Sequence, residues 1–132
     1  NLLLELRERR GLAYLFIAHD LAVVRQVAHR VAVMYLGTIV EIGPSRAVIG
    51  APCHPYTQAL VSAVPDPDPT VARQRIVLEG EPPSPSAPPP GCPFAPRCFH
   101  PRRDARCTAE RPMLRVIGDR EVACHHAESS DQ

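Results

Sequence analysis

Up to about residue 64 the apolar positions come in short runs at regular spacing; beyond it they thin out among prolines and cysteines. Leu2, Leu3 and Leu6 make a helical stripe, with Asn1 as its cap, Glu5 and Arg9 paired at i,i+4, and Gly11 as the stop. Residues 14–18, YLFIA, form a continuous apolar run of the length of a buried strand. The run ends at His19. Asp20 suits an N-cap, and Leu21, Val24, Val27 and Ala28 follow at helical spacing. Residues 31–36 and 38–42 are two more runs, split by Gly37 in the pattern of a hairpin. Glu41 is expected on the exposed face of an edge strand. Pro44 opens a short helix that Gly50 closes, and Pro55 opens another, with Tyr56, Leu60 and Ala63 on one face, up to Val64. These elements predict an α/β arrangement. A crossover helix feeds a strand whose C-terminal end carries His19, and ligands bind at that edge of open α/β sheets.

The second half has a different grain. Residues 66–70, DPDPT, are a linker in which alternating prolines keep the backbone extended. Residues 75–79, RIVLE, are a short strand candidate. The proline-dense stretch 80–91 reads as an extended polyproline spacer, in preference to a ligand for another domain. Cys92, Cys98, Cys107 and Cys124 then follow, separated by five, eight and sixteen residues. So few apolar residues accompany them that the segment needs a staple. Cys53 stands apart from these four and reads as a structural thiol.

Formal net charge is +1, which points neither to nucleic acid nor to an acidic membrane surface. The Arg-rich stretch 97–106 lacks the aromatic platform of a nucleic-acid site. No apolar run nears the ~20 residues that cross a bilayer, and the first residues lack the pattern of a secretion signal. A cytoplasmic setting makes metal ligands or free thiols the expected state of the cysteines. Tetrahedral Cys₄ zinc usually shows short C-x₂₋₄-C pairs, which are missing, whereas thiolates spread along a loop can wrap an iron–sulfur cubane. Arg97, Arg102, Arg103 and Arg106 are expected to offset thiolate charge and lower the thiol pKa values. His100, His125 and His126 are further candidate zinc ligands. All 15 Lys+Arg residues are Arg. A Walker-type phosphate loop needs Lys, so these residues do not contain one. By chemistry alone His19 is either a strand-end His bonded to backbone or a donor to a terminal phosphate. His29 reads as structural, at a helix end where a cation is favoured.

The order strand, His19-Asp20, helix, strand, Gly37, strand, together with FIAHDLAVV and VAVMYLGTIVEIGP, resembles the C-terminal part of an ATP-binding cassette ATPase. His19 falls on that family's switch histidine. HPYTQAL, from His54, resembles the HPYTxxL motif of its oligopeptide and dipeptide importer branch, including nickel relatives. The stretch GEPPSP and the four cysteines resemble that branch's C-terminal extension. The resemblance implies residues 1–64 as the end of a P-loop nucleotide-binding domain, 65–91 as a Pro-rich linker and 92–132 as a four-cysteine extension. It further implies ATP and Mg²⁺ in the intact protein and a [4Fe–4S] cluster on Cys92, Cys98, Cys107 and Cys124, with zinc as the alternative. The implied partners are permease subunits, a second ATPase subunit and, indirectly, an extracytoplasmic solute-binding protein, at the cytoplasmic face of the inner membrane. The chain then reads as a C-terminal piece of a longer protein, inactive alone. A free-standing, non-catalytic metal- or cluster-binding regulatory module is the other reading.

Overall fold

The structure, a computed structural model, describes residues 2–65 and 74–128. The expected cap Asn1 and the linker 66–70 lie outside the described residues. Helix α1 (Leu2–Arg10) ends at Gly11, whose φ of 59° is the left-handed stop a C-cap uses. Helix α2 (Leu21–Val27) starts at Asp20, whose carboxylate accepts the N–H groups of Ala22 and Val23 at 2.8 and 3.4 Å. Strands β1 (Arg30–Tyr35) and β2 (Thr38–Pro44) form the expected antiparallel hairpin. Leu36 and Gly37 take φ of 47° and 73° in its turn, the twist that matches paired strands. Helices α3 (Ser45–Gly50) and α4 (Pro55–Ser62) follow, with Pro55 in the first turn of α4. In the cysteine segment, Ala95–Arg97 is a 3₁₀ turn, α5 spans Ala105–Ala109, and β3 (Arg115–Ile117) and β4 (Arg120–Val122) make a second hairpin.

The two hairpins join into one antiparallel sheet of order β1-β2-β4-β3. Glu41 of β2 stands opposite Val122 of β4, and the Ala123 N–H reaches the Val40 carbonyl at 2.8 Å. The main core follows from this join. Val31, Val33 and Tyr35, alternating along β1, pack with Val40, Val48, Ile49 and Val61 and with Phe94, Cys92 and Cys107 from the cysteine segment. Phe94 is 0% exposed and sits edge-on to Tyr35 at 5.2 Å and tilted against Tyr56 at 5.4 Å. The helix that begins at His54-Pro55 thus supplies a receptacle, and Phe94 is what fills it.

Three expectations are corrected. Residues 14–18 form no strand: Leu15 and Ile17 are 93% and 99% exposed. A strand of a buried parallel sheet is held by neighbours on its flanks, and no described strand pairs with this run. Glu41 is not on an open edge; β4 covers it and it is 0% exposed. Residues 75–79 form no strand either. Their backbone groups bond to side chains, Ile76 N–H to Ser62 Oγ at 3.0 Å and Glu79 carbonyl to Arg97 Nε at 3.3 Å. The architecture is therefore a mixed helix and sheet arrangement whose described sheet is antiparallel. No described helix is long and apolar enough to cross a membrane.

Candidate functional site

The four cysteines meet. Cys92 enters from the end of the proline stretch, Cys98 leaves the 3₁₀ turn, Cys107 lies on α5 and Cys124 follows β4. All four line one cavity of about 20 Å³, together with His54 and Phe94. The approach depends on Gly91. A Cβ there would stand 2.4 Å from the Cys107 carbonyl oxygen and 2.5 Å from the Thr108 carbonyl carbon. Without it, the Cys92 N–H donates to the Cys107 carbonyl at 2.8 Å.

The backbone points donors at the sulfurs. Phe94 and Ala95 N–H groups face Cys92, His100 N–H faces Cys98, and those of His126 and Ala127 face Cys124. N–H groups aimed at sulfur stabilise a thiolate and are the usual outer shell of sulfur-ligated metals. Against them, burial raises the pKa of Cys92, Cys98 and Cys124, and the charges of neighbouring cysteines add to it. This corrects the expectation that the arginines lower these values. Arg103 and Arg115 act weakly at Cys98 and Cys124, while Arg102 pairs with Glu128 at 2.7 Å and Arg106 with Glu110 at 2.8 Å on the outside. Burial thus disfavours the thiolate at Cys92, Cys98 and Cys124, and a cation among them would favour it. His100 and His125 are tied to backbone: His100 Nδ1 accepts the Arg102 N–H at 3.1 Å, and His125 Nε2 lies 2.9 Å from the Glu110 carbonyl oxygen.

A polar joint holds this site to the sheet. The Glu41 carboxylate accepts the N–H groups of Cys53 and His54 at 3.0 and 2.9 Å, and Arg120 Nη1 lies 3.4 Å from its Oε1. Arg120 also donates to the carbonyls of Ala47, at 2.7 Å, and Ala51. A Cβ on Gly43 would stand 2.6 Å from the Arg120 Cβ, so Gly43 is what lets β4 close on β2. His54 Nδ1 accepts the Tyr56 N–H at 3.1 Å and caps α4. Burial, with the charge of His100 second, holds the His54 pKa down at about 3, so its ring is neutral and carries its proton on Nε2. Sequence reasoning missed Glu41, Arg120, Gly43 and Gly91. The pairs that matter lie far apart in the chain, and no local pattern marks them.

His19 is elsewhere. It is exposed, in the irregular stretch between α1 and α2, and is not among the residues lining the cysteine cavity.

Comparison with known proteins fits this division. The model of the family described as "Oligopeptide/dipeptide transporter, C-terminal region" matches residues 40–107, from β2 through the third clustered cysteine. A probable peptide ABC transporter ATP-binding protein of Sinorhizobium fredii is 56% identical over 126 residues, 95% of this chain and 35% of that protein. A di/tripeptide transport ATP-binding protein of Pseudomonas aeruginosa is 50% identical over 97% of this chain and 39% of its own length. The dipeptide transport ATP-binding protein DppF of Escherichia coli is 50% identical over 94% of this chain and 36% of its own length. The chain thus spans little more than a third of these curated relatives. On the extent of the family match, which takes in the β2 joint, the HPY helix and three of the four clustered cysteines, the chain belongs to the oligopeptide/dipeptide transporter C-terminal region family.

Proposed function

We propose that this chain is the C-terminal part of the ATP-binding subunit of an importer for oligopeptides or dipeptides. The observation that carries this reading is the family match over residues 40–107, supported by relatives at 50–56% identity across nearly the whole chain. In the intact subunit ATP and Mg²⁺ bind to motifs outside these residues, and hydrolysis drives permease subunits at the cytoplasmic face of the inner membrane. A second ATPase subunit completes the nucleotide sites, and a solute-binding protein delivers the peptide. Residues 1–64 close the nucleotide-binding domain, 65–91 are the linker and 92–132 the extension. His19 is the residue of the ATP chemistry that lies in this chain. Its imidazole N–H donates to a terminal phosphate oxygen and stabilises the charge that develops as the phosphoryl group leaves. The test is ATP turnover by the intact subunit assembled with its permease. His19→Ala is expected to lower turnover by about 10²-fold or more with the assembly intact; unchanged turnover overturns the assignment.

Cys92, Cys98, Cys107 and Cys124 fit a [4Fe–4S] cluster better than zinc. Four sulfurs about 2.3 Å from one tetrahedral ion lie only ~3.8 Å apart. Here the four thiols line one cavity, and among the described residues the four sulfurs as a set do not come within 4.8 Å of one another. Spacing wider than a single ion allows suits a cluster that Cys92, Cys98, Cys107 and Cys124 would each ligate through one sulfur; bound there, it would tie together four points of a segment poor in apolar residues. The chain's own part is to hold the four thiols on one cavity, aim backbone N–H groups at three of them and exclude water with Phe94 and His54.

A further inference from the structure

The wall of the four-cysteine cavity, to which Cys107 and His126 both contribute, also holds a ligand set of different chemistry. One ligand atom each from Asp104, Cys107 and His126 falls within 4.8 Å of the others. Asp104 caps α5 and Cys107 lies one turn in, which brings the Cys107 Sγ to 3.6 Å from Asp104 Oδ1. Capping alone accounts for that pair. It does not account for His126, which comes from beyond β4. Its Nε2 is buried and faces Asp104 Oδ2 at 3.2 Å, so the imidazole and the carboxylate of two distant segments are brought together there.

The Sγ–Oδ1 and Nε2–Oδ2 separations, one to each oxygen of the carboxylate, have the size of ligand edges around one ion. Around tetrahedral zinc, oxygen and nitrogen ligands lie ~3.4 Å apart, and sulfur and oxygen ligands ~3.6 Å apart. We propose that Asp104, Cys107 and His126 form a site for a single tetrahedral divalent transition metal of the zinc class, exclusive with the four-cysteine set because both use Cys107. The fourth position is open to water, since the Asp104 side chain is 51% exposed while that of His126 is 18% exposed. An outer shell is in place. Arg102 donates to the His126 carbonyl at 2.8 Å, and the His100 ring stacks on His126 at 5.7 Å. The two nearby arginines are offset by carboxylates, Arg102 by Glu128 and Arg106 by Glu110. The site does not depend on the cluster; it is what a lone soft-to-borderline cation finds when the cubane is not assembled.

The experiment is an anaerobic Co²⁺ titration of the whole chain freed of iron, followed by its thiolate-to-cobalt charge-transfer band, whose intensity counts coordinated thiolates. One Co²⁺ with a one-thiolate band is expected, in the wild type and in Cys92→Ser alike. Asp104→Asn keeps a capping side chain and loses the anionic ligand. It is expected to weaken Co²⁺ binding about tenfold or more, as is His126→Gln. Because Asp104→Asn leaves the four thiols in place, iron in the anaerobically purified variant is expected to match wild type, which separates this site from the cluster. A band of three or four thiolates, an affinity unmoved by Asp104→Asn, or no Co²⁺ bound by the wild type overturns the proposal.

Discussion

Glu41 and Arg120 carry more of this fold than their number suggests. Both are buried, at 0% and 10% side-chain exposure, and each bonds backbone groups as well as the other: two N–H groups for the carboxylate, two carbonyls for the guanidinium. Removing one partner leaves the other charged and buried. Glu41→Ala is expected to cost about 3–5 kcal/mol, read by denaturant unfolding; a loss under ~1 kcal/mol would show that the pair is dispensable. His54 sets a pH limit. Its folded pKa is about 3 against an ordinary 6.5, so between those values the unfolded chain takes up a proton that the folded chain refuses. Stability contributed by the neutral ring is complete above about pH 6.5 and falls as pH drops toward 3, by at most ~1.4 kcal/mol per unit. Melting temperatures measured from pH 7.5 to 5 are expected to fall more steeply for wild type than for His54→Asn, which keeps an acceptor at the cap; equal slopes would place the acid sensitivity elsewhere.

At the scale of elements, what was legible was local. Asp20, Gly37, Pro44 and Pro55 each mark a boundary by their own backbone chemistry, and α2, the β1–β2 hairpin, α3 and α4 formed where those residues put them. Elements that depend on distant partners were not legible. Residues 14–18 have the composition of a buried strand, yet a strand is made by its neighbours, and Ile17 is left 99% exposed without them. Glu41 looked like an edge residue because β4, which covers it, begins 79 positions away. The spacing of the cysteines announced a staple; their convergence rests on Gly91, one residue before Cys92, whose missing side chain no pattern explains. Gly91→Ala is expected to push Cys92 away from helix α5, cost about 1–3 kcal/mol and lower bound iron. Full iron content with an unchanged melting temperature would show that the contact is not needed.

As a whole, the molecule joins the β1–β2 hairpin and its helices to the cysteine segment through one sheet and a shared main core. Phe94 is the largest of the fully buried side chains and sits between Tyr35, Tyr56 and His54. Phe94→Ala is expected to cost about 3–5 kcal/mol and to release the cysteine segment to proteolysis while α2 and the β1–β2 hairpin persist; uniform resistance to cleavage would contradict a shared core. The chain has no Lys for a phosphate loop, so in isolation it is expected to show no ATP turnover above a His19→Ala control.

The convergence of four thiols on one cavity is the claim on which this account rests, and iron and acid-labile sulfide in the anaerobically purified chain test it most directly. A brown protein with about four of each per chain, lost in Cys92→Ser, is the predicted result. A colourless protein without iron or sulfide, whose four thiols all alkylate freely under native conditions, would contradict it.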